Sequence, residues 1–93
     1  MTATPAPFAP DPHVILTELD ETEGVLLHTH TRRYFSLNET GLLIWKELAD
    51  GRSLEGAARA LAAAFEIDDE GAAEHVRRFA GEVEAAGLLV RAG

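Results

Sequence analysis

The side chains best suited to chemistry in this sequence are its imidazoles. His28 and His30 stand two apart in a β-type segment, which puts both on one strand face. His13 lies in the segment that would run alongside. Imidazoles gathered this way can ligate zinc, but no acidic residue stands beside them at ligand spacing and the chain has no cysteine. The three are therefore read as a solvated strand face near a turn, and no metal is expected. The carboxylates fall mainly in turns and helix starts. Glu82 and Glu84, two apart on a helix, point in different directions, and no pair is held at a glycosidase separation. Gly41, Gly51 and Gly56 are too scattered for a phosphate loop, and no nucleophile sits in a strand-to-helix elbow. The expectation is no catalytic residue, no cofactor and no enzyme activity. Two basic doublets remain, Arg32-Arg33 and Arg77-Arg78. They are either solvated patches or the borders of one groove that pairs with acids on a ligand.

These residues are positioned by a strand that runs directly into a helix, Tyr34 to Trp45. Tyr34, Phe35 and Leu37 suit a pleated, half-buried surface, and Asn38 has the side chain to cap a helix start. Leu42, Trp45 and Leu48 then recur on one helical face, which makes the single tryptophan the expected core anchor. Upstream, His13–Leu19 and Gly24–Thr29 read as strands separated by turn chemistry at Asp20–Gly24. Thr31-Arg32 marks a second turn before a third strand, Arg33–Leu37. Three strands with short links make an antiparallel meander, with the third strand at an edge. Alternation puts Arg33, Phe35 and Leu37 on one face and Tyr34 and Ser36 on the other.

Downstream, the first helix spans Glu39–Ala49 and stops at Asp50-Gly51. Ser53 caps a second, alanine-rich helix with Leu54, Ala58, Leu61 and Phe65 on one face. Asp68 caps a third, with Ala72, Val76, Phe79, Val83 and Ala86 as its apolar stripe and Gly87 as its stop. Leu88–Val90 packs back as an extended tail. The fold class expected is α+β, winged-helix-like: a three-stranded antiparallel sheet followed by three helices. Residues 1–12 hold all four prolines and are expected to be a disordered Pro/Ala-rich tail, leaving 13–93 as the working domain.

The totals narrow the function classes. A chain of 93 residues has little core to spare for a deep catalytic cavity. A formal net charge of -8 disfavours polyphosphate partners and favours a basic one. The third helix opens Asp68-Asp69-Glu70 and carries Glu74, Glu82 and Glu84. That opposes the alternative reading, a winged-helix DNA-binding regulator, which needs a basic recognition helix. No apolar run approaches the roughly 20 residues of a membrane span. With no cysteine and no signal-peptide layout, the cytoplasm is the expected compartment.

The order Val25-Leu26-Leu27, Arg33-Tyr34-Phe35-Ser36-Leu37-Asn38-Glu39-Thr40-Gly41 and Ile44-Trp45-Lys46-Glu47-Leu48 resembles the PqqD-like family. The likeness continues through Asp50–Leu54, Phe65–Asp68 and Ala86–Leu89, covering about residues 13–90. It implies a peptide chaperone, or precursor-peptide recognition element. Such a domain binds the leader of a ribosomally made peptide and presents it to a maturation enzyme: a leader peptidase, a cyclase or a radical enzyme. It also implies that the leader joins the third strand and lies against the third helix. Carried over, the peptide-binding residues are Arg33, Tyr34, Phe35, Ser36 and Leu37 with Val76, Arg77, Phe79, Ala80 and Val83. Members often have a glycine where Arg32 stands here. The aromatic Tyr-Phe and Trp pattern is more similar to a stand-alone element, such as the small partner in lasso-peptide maturation, than to the member serving pyrroloquinoline quinone synthesis. Independently, an edge strand beside an apolar helix suits strand addition by a peptide, and an acidic domain suits a lysine-rich leader.

Overall fold

The structure, a computed structural model, describes residues 8–91. The elements are β1 (Phe8–Pro10), β2 (Val14–Glu18), β3 (Gly24–His28), β4 (Tyr34–Leu37), α1 (Glu39–Ala49), α2 (Leu54–Phe65), α3 (Asp69–Ala85) and β5 (Leu89–Arg91). Strands β2, β3 and β4 form the expected antiparallel sheet in sequential order, and the three helices follow. Leu16, Leu26 and Phe35 stand side by side across it and face the helices, with Leu26 fully buried. One residue along, Ile15, Leu27 and Tyr34 form the opposite row and are exposed. A period of two along each strand produces this division.

The tail expectation is corrected in part. Residues 1–7 lie outside the described residues, but Phe8–Pro10 is an ordered strand, antiparallel to β5, with Ala9 opposite Val90. Phe8 is buried in the core, and the Asp11 N–H donates to the Leu88 carbonyl at 3.0 Å. Proline 10 is tolerated because a two-stranded ribbon is all edge. Its partner β5 is the segment expected only to pack back as a tail.

Each helix is set by local chemistry. Asn38 Oδ1 accepts from the Gly41 N–H at 2.9 Å, and Ser53 Oγ from the Gly56 N–H at 3.0 Å, so both expected caps form. Asp68 takes the cap position of α3 with extended backbone, but its side chain makes no cap hydrogen bond. Gly51 ends α1 at φ 91°. Gly87, at φ 79°, ends α3 with the Leu88 N–H on the Val83 carbonyl and its own N–H on the Glu84 carbonyl, the paired bonds of a Schellman stop. Trp45, 3% exposed, lies in the core with Ile44, Leu48 and Leu61.

Candidate functional site: the open edge of β4 and its groove

Among the described residues, strand β4 is hydrogen-bonded to β3 along one side only. The His28 N–H donates to the Arg33 carbonyl at 2.9 Å, which marks that pair as a bonded one. Antiparallel pairs alternate between bonded and non-bonded. The Leu26–Phe35 and Gly24–Leu37 pairs are thus bonded, and the Val25–Ser36 and Leu27–Tyr34 pairs are not. Tyr34 and Ser36 therefore direct their backbone N–H and C=O groups to the open side. The turn leading into β4 places Arg32 at φ 64°, with its N–H on the His28 carbonyl at 2.8 Å. This is the left-handed position of a bulged hairpin, where glycine is usual.

Beside this edge runs a groove of about 520 Å³. Phe35, Ser36 and Leu37 form its strand wall, and His75, Arg78, Phe79 and Glu82 its helix wall. Leu19, Glu23 and Val25 extend it around the end of the sheet. Phe35 and Phe79 meet edge to face, ring centroids 6.3 Å apart at 87°, a favourable aromatic geometry. Gly41 permits the close approach of α1, since a Cβ there would stand 3.2 Å from Phe79 Cε1. His75 Nε2 lies 3.4 Å from Thr40 Oγ1, linking α3 to the first turn of α1. The groove thus offers an apolar floor and both signs of charge at its rim.

The ten residues carried over from the family divide. Phe35, Ser36, Leu37 and Phe79 line the groove together. Tyr34 faces outward on the sheet, 73% exposed, and contributes its backbone to the edge. Arg33 is exposed at the turn, and Arg77 is exposed but outside the groove lining, where Arg78 stands instead. Val76 and Val83 are 0% exposed and Ala80 3%. The expectation that they offer an apolar surface is corrected: these side chains fill the core. Arg78 belongs to the Arg77-Arg78 doublet already read as a groove border, whereas His75 and Glu82 were missed. These two stand four before and three after Phe79, and that spacing is the signal that could have found them.

A second cluster lies at the other end of β3. Asp11 Oδ1 stands 3.3 Å from His13 Nδ1 and 3.5 Å from His28 Nε2, and the ring of His30 lies against that of His13, centroids 3.7 Å apart. The premise that no acid stands beside the histidines is corrected: Asp11 does, brought there by β1. The His13 backbone N–H, at 2.8 Å, holds the Asp11 carboxyl below the usual carboxylate range, with the two imidazoles adding to it against the opposing effect of partial burial. His28 Nδ1 accepts from the N–H groups of His30 and Thr31, both at 3.2 Å, so its proton is assigned to Nε2.

No curated protein matches the chain. Two solved structures do. One is TbiB1 in complex with the TbiA(beta) leader peptide, 28% identical with a TM-score of 0.83, the match covering 91% of this chain and 98% of that one. The other is lasso peptide synthetase B1 complexed with the leader peptide, 26% identical with a TM-score of 0.82, covering 91% and 99%. The family pattern of PqqD, coenzyme PQQ synthesis protein D, matches residues 23–89, from the turn before β3 into β5. That is well over half of the sequence, and the chain belongs to the PqqD family.

Proposed function

We propose that this protein is a non-catalytic recognition element that binds the leader of a ribosomally synthesised precursor peptide. The leader adds as a strand to β4. It meets the N–H and C=O groups of Tyr34 and Ser36 and lays alternate side chains into the groove over Phe35 and Phe79. Backbone pairing supplies register, and the groove selects side chains. The observation that carries this reading is the coincidence of a strand edge unpaired among the described residues with a groove whose floor is apolar and whose rim holds Glu23, Glu82, His75 and Arg78. The two solved neighbours, both leader-bound, support it.

The bound precursor is presented to a maturation enzyme: a leader peptidase, a cyclase or a radical enzyme. The likeness to lasso peptide synthetase B1 favours a leader peptidase or cyclase. The place of action is the cytoplasm, where such precursors are made; among the described residues no helix is long and apolar enough to cross a membrane. DNA binding is not favoured, because α3 carries Asp69, Glu70, Glu74, Glu82 and Glu84 where a recognition helix needs bases. The test is titration of synthetic leader peptides, the TbiA(beta) leader of the solved neighbour first among them, into labelled protein. Amide shifts are expected at Tyr34–Leu37 and along His75–Glu82. Shifts confined to β2 or α2 would refute the assignment.

A further inference from the structure

We propose that Asp11, His13 and His28 form a binding site for a zinc-type divalent cation. Three parts of the chain converge there: the link after β1, the residue preceding β2 and the end of β3. The three candidate ligand atoms lie within 4.8 Å of one another. The separations of 3.3 and 3.5 Å from Asp11 Oδ1 are long for charge-assisted hydrogen bonds, which centre near about 2.7–2.9 Å. They match the edge of a coordination tetrahedron. With metal–ligand bonds of about 2.0–2.2 Å, neighbouring ligand atoms stand roughly 3.3–3.5 Å apart. Two imidazoles and one carboxylate, without thiolate, suit zinc and its neighbours better than the all-oxygen cations calcium and magnesium. The side chains grade from 10% exposed at His28 through 23% at Asp11 to 44% at His13, leaving a path from solvent. His30, against the His13 ring, is the nearest further imidazole, so the fourth position falls to it or to water.

Loading has a structural consequence. Ligation at His28 Nε2 displaces the proton there onto Nδ1, and the His30 and Thr31 N–H groups that now face Nδ1 must turn away. The same turn carries the bonds that begin β4, from the Arg32 N–H to the His28 carbonyl and from the His28 N–H to the Arg33 carbonyl. An ion at this site therefore clips the N-terminal strand to the β3–β4 hairpin and moves its turn.

The test uses the full chain, free of any affinity tag and stripped with chelator. Zinc(II) is titrated by calorimetry while amide spectra are recorded. Saturable uptake of a single ion per chain is expected, with the His30 and Thr31 amides shifting and the thermal midpoint rising. His13→Ala and Asp11→Asn alter side chains outside the core, and an unchanged amide pattern elsewhere verifies their folding. Each should weaken zinc by more than the roughly 10–100-fold lost with an outer-shell partner. No saturable uptake, or uptake unaltered in both variants, overturns the proposal.

Discussion

Ser36→Pro removes one backbone donor from the open edge of β4 and leaves the β3–β4 ladder intact. Ser36 faces Val25 in a non-bonded pair, so its N–H points away from β3. Proline is tolerated on an edge strand in that position, and Phe35 before it is already extended, as the residue preceding proline must be. A leader strand on this edge has a carbonyl that the Ser36 N–H would satisfy. Without that donor the carbonyl is left unpaired inside the complex, at about 1–3 kcal/mol, a rise in Kd of roughly 5- to 150-fold. Leader affinity is measured by calorimetry and folding by thermal unfolding, where a loss of 1 kcal/mol moves the midpoint by about 4–8 °C. The control is Phe35→Pro. It removes a donor to β3, strands the Leu26 carbonyl in the core and takes away the ring packed on Phe79, so it should unfold the domain. A folded Ser36→Pro protein that binds leader with wild-type affinity would refute strand addition at β4.

Trp45→Ala, at a buried position among Ile44, Leu48 and Leu61, should cost about 3–5 kcal/mol; an unaltered denaturant midpoint would remove Trp45 from the core. Arg32→Gly relieves a left-handed backbone that costs a non-glycine residue about 1–3 kcal/mol, less the chain entropy glycine adds, so a modest rise in thermal midpoint is expected. Asp20 accepts from the Thr22 N–H and hydroxyl at 2.8 and 2.9 Å, chiefly the former holding its pKa below 3.8. Its folded pKa lies below the unfolded one, so its stabilisation is present above about pH 4 and lost as pH falls through the lowered value. Asp20→Ala should flatten that part of the stability–pH curve, read by thermal unfolding between pH 2 and 5.

The three-stranded meander and the helices were legible because each carries its own punctuation. Asn38 and Ser53 cap, Gly51 and Gly87 stop, and Leu26, Trp45, Leu61 and Val76 recur at the period of the element that buries them. The ribbon of β1 and β5 was not legible. Phe8-Ala9-Pro10 has no alternation long enough to read, and proline argues against a strand unless the partner is known to sit on an edge. That partner is about 80 residues away, and no local pattern reports it. The same blind spot hid the acid of the histidine cluster, because Asp11 reaches His28 only through that ribbon. Asp68 shows the reverse limit. Its residue type and position are right for a cap, yet residue type does not determine where the side chain turns.

The groove wall of α3 illustrates how periodicity can select the right helix and the wrong face. At about 100° per residue, taking Phe79 as zero, Ala72, Val83, Val76 and Ala80 fall at roughly 20°, 40°, 60° and 100°. His75, Glu82 and Arg78 fall at about -40°, -60° and -100°. The apolar set is the more conspicuous in a sequence, and it is consumed by the core. The polar set borders the groove. Phe79 stands on the boundary and serves both, touching the core on one side and Phe35 on the other. A small domain that presents a helix to a ligand while packing that helix against two others has few alternatives to this division. It follows that truncating Phe79 or Val76 reports on folding, whereas exchanges at Arg78 act on the groove, and those at His75 act on the groove and on its contact with Thr40. Arg78 is the sharper probe. Its contact with Glu74, at 3.4 Å between two exposed side chains, contributes little to stability, which leaves its guanidinium available to a leader.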